Sequence, residues 1–100
     1  MELYKRKLLT IITEAIIEDA IEKVLKDFKI RGYTILEARG SGQTGLRDAS
    51  HDSDKNIRIE AICSEETAKK LAHHLKEVYY ADYAMVVFLS DVEVIRAEKF

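Results

Sequence analysis

Residues 8–28, LLTIITEAIIEDAIEKVLKDF, change periodicity once, and that change decides the fold. Leu8, Leu9, Ile11 and Ile12 form an apolar run broken only by Thr10 and rich in β-branched side chains, as in a strand covered on both faces. The pattern predicts a strand over residues 4–13. From Ala15 onward Ile16, Ile17, Ala20, Ile21, Val24, Leu25 and Phe28 recur at three- and four-residue intervals, with Glu18, Asp19, Glu22, Lys23 and Lys26 between them. Such a stripe is the buried face of an amphipathic helix.

Working outward, Gly32 restarts the chain, and residues 33–38 are rich in side chains that pack on a pleated surface, which predicts a second strand. Ile57, Ile59 and Ala61 alternate with Arg58, Glu60 and Ile62 in a third strand that ends near Cys63. Ser64 is placed to cap a second helix over residues 65–80, with Ala68, Leu71, Ala72, Leu75, Val78 and Tyr79 along one stripe. Residues 83–89 predict a fourth strand and residues 92–96 a short fifth. The order β-α-β-β-α-β predicts an α+β, ferredoxin-like fold.

The chain has 100 residues, a length that predicts one domain over residues 1–100. Sixteen basic against eighteen acidic residues leave a net charge of -2, so no global field draws the protein to nucleic acid or to an anionic membrane. A lone cysteine, Cys63, cannot close an internal disulfide and points to a reducing, cytoplasmic setting. Lys5, Arg6 and Lys7 precede an apolar run too short for a signal peptide, and no stretch approaches the roughly 20 apolar residues that span a bilayer. A soluble protein is expected, with membrane contact only through a membrane protein.

Two helices cover one face of a four-stranded sheet, so the other face should be polar at alternate positions. Residues 8–12 and 85–89 are instead apolar at nearly every position, which leaves a hydrophobic outer face that something must cover. A second copy of the chain covers it in one reading, and the C-terminal segment in the other.

Residues 40–55 hold three of the four glycines and only Leu46 and Ala49 as apolar side chains. Loops beyond about 12 to 15 residues without structure of their own are uncommon and tend to be functional or disordered. Gly40-Ser41-Gly42-Gln43-Thr44-Gly45 fits the letters of a dinucleotide fingerprint, but no amphipathic helix follows, and no Lys-Ser or Lys-Thr pair completes a Walker loop. Two readings of the segment remain. The glycines, the hydroxyls of Ser41 and Thr44 and the charge of Arg47 make a local phosphate cradle, or the segment is a solvated hairpin connection.

His73 and His74 diverge on a helix, and neither these nor His51 has partners at a convincing metal spacing. Cys63 reads as a core residue, and Glu37 and Glu60 lie on separate strands. Nothing in these residues reads as an active site, so no enzyme is expected.

Gly32-Tyr33-Thr34, the run from Gly40 to Gly45, Arg47 and Asn56-Ile57-Arg58-Ile59-Glu60 together resemble the PII-like signalling proteins. Tyr80-Ala81-Asp82-Tyr83-Ala84 and Val92-Glu93-Val94 resemble in particular the branch associated with bicarbonate transporters and carboxysomes. The resemblance implies a homotrimer whose inter-subunit clefts each bind an adenine nucleotide, AMP, ADP, ATP or cyclic AMP, with bicarbonate as a further ligand. It also implies a T-loop, the long segment after the second strand, that engages a target such as a membrane transporter in a carbon-concentrating mechanism.

By position, Thr34 resembles the threonine that meets the adenine ring, and Ile62 the aliphatic residue lining the base. Gly40, Ser41, Gly42, Gln43 and Thr44 resemble the T-loop base around ribose and phosphates, and Arg47 an arginine near the phosphates. Residues 81–84 lack the Gly-Asp-Gly-Lys run of the nitrogen-sensing branch, and no tyrosine lies between residues 40 and 55. The triphosphate and 2-oxoglutarate chemistry and the tyrosine modification of that branch are therefore not carried over. A structural, partner-binding trimer with no nucleotide ligand is the alternative function.

Overall fold

The computed structural model describes residues 1–41 and 55–100. Six elements follow in order: β1 (Tyr4–Glu14), α1 (Glu18–Asp27), β2 (Tyr33–Ala38), β3 (Asn56–Cys63), α2 (Glu65–Tyr79) and β4 (Met85–Val94). The strands form one sheet in the order β2-β3-β1-β4, with every neighbouring pair antiparallel. This is the α+β, ferredoxin-like arrangement expected from the sequence.

The apolar run of β1 is central because it is paired on both sides. Leu9 stands opposite Ala61 of β3 and Leu89 of β4, and Ile11 opposite Ile59 and Val87. These residues share the face beneath the helices, where Leu9, Ile11 and Ile59 are fully buried with Ile21 and Leu25 of α1 and Ala68, Leu71 and Leu75 of α2. Burying one such aliphatic side chain contributes about 1.5 to 3 kcal/mol. Ser64 caps α2 as its position suggests: its Oγ accepts the Thr67 backbone N–H at 3.2 Å.

Three expectations are corrected. The first helix opens with a three-residue 3-10 turn, Ala15–Ile17, whose tighter winding leaves Ile16 72% exposed rather than on the buried stripe. Val78, near the end of α2, is 47% exposed. No separate fifth strand forms, because β4 runs unbroken from Met85 to Val94 along β1, pairing as far as Tyr4↔Val94. Ser90 and Asp91 interrupt the apolar pattern without interrupting the ladder, in which Ser90 stands opposite Leu8 and Asp91 opposite Lys7, to whose ammonium it bonds.

The C-terminal turn Ala97–Lys99 packs at the start of β1. Arg6 Nε donates to the Phe100 carbonyl at 2.9 Å, and Arg31 Nη1 to the Glu98 carbonyl at 2.8 Å. The outer face of the sheet is not closed by this segment, for Leu36, Val86 and Phe88 stay 48%, 54% and 41% exposed.

Candidate functional site

The edge strand β2 organises the expected site. Thr34 is exposed on the outer face, opposite Glu60 of β3. Ile62 lies two residues further along β3 on the same face, half-buried and opposite Leu8 of β1. Thr34 and Ile62 are thus diagonal neighbours, a relationship that places Cα atoms about 7 to 8 Å apart. The fold brings these two together.

Gly40 and Ser41 lie beyond the opposite end of β2, where Ala38 pairs with Asn56, and both are exposed. A side chain added at Gly40 would meet nothing within 4 Å. Six residues of extended chain span about 20 Å, so the chain presents the expected base-lining and phosphate-lining residues at opposite ends of an edge strand. Gly42, Gln43, Thr44 and Arg47 lie outside the described residues.

Between those ends the outer face carries charge as well as apolar surface. Arg58, opposite Leu36, donates from Nε to Glu60 Oε2 at 2.9 Å and sets its guanidinium 5.9 Å from the Phe88 ring centre. Glu37 falls on the other face from Glu60, because side chains alternate along β2 and Thr34 already faces Glu60. The two carboxylates therefore make no acid pair.

At the Ala38–Asn56 end of the sheet the sequence reading missed a residue. Glu14, which follows the apolar run of β1, is 2% exposed and accepts the Ala84 backbone N–H on Oε2 at 2.7 Å. Thr13 Oγ1 donates to the Ala84 carbonyl at 2.9 Å, and the Ala15 N–H donates to the Lys55 carbonyl at 2.8 Å. An acidic residue at the end of a buried strand was the only signal for this, and such a residue more often marks a strand's exit to solvent.

At the far end of β1 an open cleft of about 610 Å³ is lined by Lys5, Arg6, Lys7, Glu65, Asp91, Val92 and Glu93. Of the expected nucleotide residues, the described ones, Thr34, Gly40, Ser41 and Ile62, do not line it, and the charges of Lys7, Asp91 and Glu65 offset one another. Lys7 bonds to Asp91 and lies 3.8 Å from Glu65. Its bond to Asp91 raises the Lys7 pKa above the ordinary value and holds the Asp91 carboxyl below its own.

His73 is 4.0 Å from Glu77, while the His74 ring packs against Phe28 at 5.3 Å between centres. Among the described residues no group of three His, Cys, Asp or Glu side chains is arranged to hold a metal ion. Burial pushes the Cys63 thiol up, which keeps it protonated and a poor nucleophile. Among the described residues, no helix is long and apolar enough to cross a membrane.

The family model described as Nitrogen regulatory protein P-II matches residues 6–99. The chain belongs to the P-II family. Among solved P-II structures it is similar to a PII-like signalling protein of Thermus thermophilus, with 38% identity and a TM-score of 0.85 over 100% of this chain and 99% of that one. CPII of Thiomonas intermedia, solved with ADP and bicarbonate, is 31% identical with a TM-score of 0.84, covering 99% of this P-II chain and 97% of CPII. The same protein solved with ADP, AMP and acetate aligns at a TM-score of 0.87 and 27% identity, over 100% and 98% of the two chains.

Proposed function

We propose that this P-II protein is a homotrimeric regulator that binds an adenine nucleotide in clefts between subunits and signals through the 39–55 segment, its T-loop. The observation that carries the reading is the solved relative holding ADP and bicarbonate, at 31% identity over 99% of this chain. Thr34 and Ile62 line the base. Gly40, Ser41, Gly42, Gln43 and Thr44 wrap the ribose and phosphates through backbone N–H groups and hydroxyls, and Arg47 supplies the positive charge.

A cleft shared between subunits accounts for site residues strung along an edge strand instead of gathered in one hollow. Trimer formation, typical of the family, also buries the exposed apolar surface of Leu36, Val86 and Phe88. The physiological role proposed is regulation of bicarbonate uptake in the cytoplasm through a membrane transporter or another target protein. Nucleotide acts by binding one arrangement of the segment better than others, which shifts the population presented to the target.

Calorimetric titration with AMP, ADP, ATP and cyclic AMP, each with and without bicarbonate, tests this alongside the solution mass. Micromolar binding to a trimer, with an affinity that changes with bicarbonate, is the expected result, and by reciprocity nucleotide then changes bicarbonate affinity equally. A folded trimer that binds none of the four nucleotides would overturn the reading and leave a partner-binding scaffold.

A further inference from the structure

We propose that Glu14 is a positioning residue that holds the base of the 39–55 segment and the 81–84 connection in one arrangement, so that neither shifts without the other. The sheet register sets the stage. Ala38 pairs with Asn56, Asn56 with Glu14, and on the other side Thr13 with Met85, so the ends of all four strands meet at one end of the sheet. Both ends of the 39–55 segment and the connection from α2 to β4 leave from this row.

Ala84 lies one residue before the β1–β4 ladder begins, and β1 holds both its polar backbone groups with side chains. Glu14 Oε2 takes its N–H at 2.7 Å, and Thr13 Oγ1 donates to its carbonyl at 2.9 Å. Consecutive strand residues project to opposite faces, so the Ala84 peptides are gripped from both sides of the sheet. One residue beyond β1, at the start of the 3-10 turn, the Ala15 N–H is fixed to the Lys55 carbonyl at 2.8 Å. Three consecutive residues, the last two of the central strand and the one that follows it, thus hold the two connections.

Burial gives the arrangement its stiffness. Glu14 is 2% exposed and Thr13 fully buried, so water cannot readily replace either bond if Ala84 moves. A carboxylate held this way tolerates few positions, because leaving it buried without its donors is costly. Displacing Ala84 therefore displaces Glu14, and Glu14 is backbone-paired to Asn56 and covalently joined to Ala15.

Amide hydrogen exchange on the ligand-free protein tests the joint without reference to nucleotide. In Glu14→Gln, which loses the charge but keeps the shape, the Ala84 and Ala15 amides are expected to exchange about tenfold faster together, while Ile11 and Ile59 in the ladder are unchanged. Thr13→Val gives the same paired effect and decides the question if Glu14→Gln does not fold. Faster exchange at Ala84 with Ala15 unaffected in both variants would overturn the proposal. For the consequence in the nucleotide-bound state, which rests on the proposed function, saturating ADP is expected to slow Ala84 exchange in the wild type at least threefold more than in Glu14→Gln. Equal slowing in both proteins would overturn that consequence, and failure of ADP to bind would count against the nucleotide reading while the ligand-free comparison still judges the joint.

Discussion

Arg58 donates its Nε–H to Glu60 Oε2 across 2.9 Å, between two residues that share the outer face of β3. The pair sits among the exposed side chains of Leu36 and Phe88, with the guanidinium 5.9 Å from the Phe88 ring centre. A charged pair amid apolar surface behaves differently once that surface is covered. Paired, it is tolerated. With one partner removed it leaves a desolvated charge, which in buried settings costs about 3 to 5 kcal/mol. The proposed self-association, if it runs through this face, therefore depends on the pair as well as on the apolar side chains.

Phe88→Asp should dissociate the assembly. Light scattering after size exclusion is expected to give a mass near the 11.5 kDa of one chain, where the wild type gives about three times that value. Arg58→Ala should shift the same equilibrium toward monomer at low micromolar concentration. If both variants keep the wild-type mass, the outer face is not the interface.

Arg47→Ala should weaken ADP binding by roughly tenfold to a hundredfold, the range expected for a charge-assisted bond of about 1.5 to 3 kcal/mol. Isothermal titration reads this directly. An unchanged affinity would take Arg47 out of the site.

Lys7 and Asp91 predict a pH dependence of stability. The bond to Lys7 holds the folded Asp91 pKa below its ordinary 3.8, so its stabilisation is present above that value and is lost as pH falls through the lowered one. The Lys7 pKa is raised above 10.5 chiefly by the same bond, so its contribution is present below that value and lost as pH rises through the raised one. Asp91→Asn should therefore lower the urea midpoint at neutral pH and flatten its decline below about pH 4. Because Asp91 is well exposed, the difference between the proteins should shrink in about 1 M salt.

Two substitutions separate local from tertiary stabilisation. Ser64→Ala removes the acceptor for the Thr67 N–H and should cost about 1 kcal/mol, while Leu71→Ala opens space at a fully buried position and should cost about 2 to 5 kcal/mol. Urea unfolding at a fixed protomer concentration is the measurement, since assembly makes the midpoint concentration-dependent. A larger loss at Ser64 than at Leu71 would contradict the placement of the core.

By itself the sequence determined what repeats along the chain. The three- and four-residue spacing in the helical segments, the alternation of residues 57–62 and the cap at Ser64 are local, because each reflects one element's contact with a single layer. The bounds of β2, Tyr33–Ala38, and the unsatisfied apolar outer face were legible for the same reason. Tertiary structure decided whatever depends on a partner far away in sequence. β4 continues through Ser90 and Asp91 because its backbone stays paired to Leu8 and Lys7 of β1, at the other end of the chain. Ile16 leaves its stripe because the chain turns tightly between β1 and α1. Glu14 reads as a polar stop in the sequence and is a buried acceptor in the fold, since only folding brings Ala84 beside it, 70 residues away. Periodicity records which face of an element is covered, whereas a hydrogen bond between distant residues leaves no local pattern and exists only when the strands are aligned.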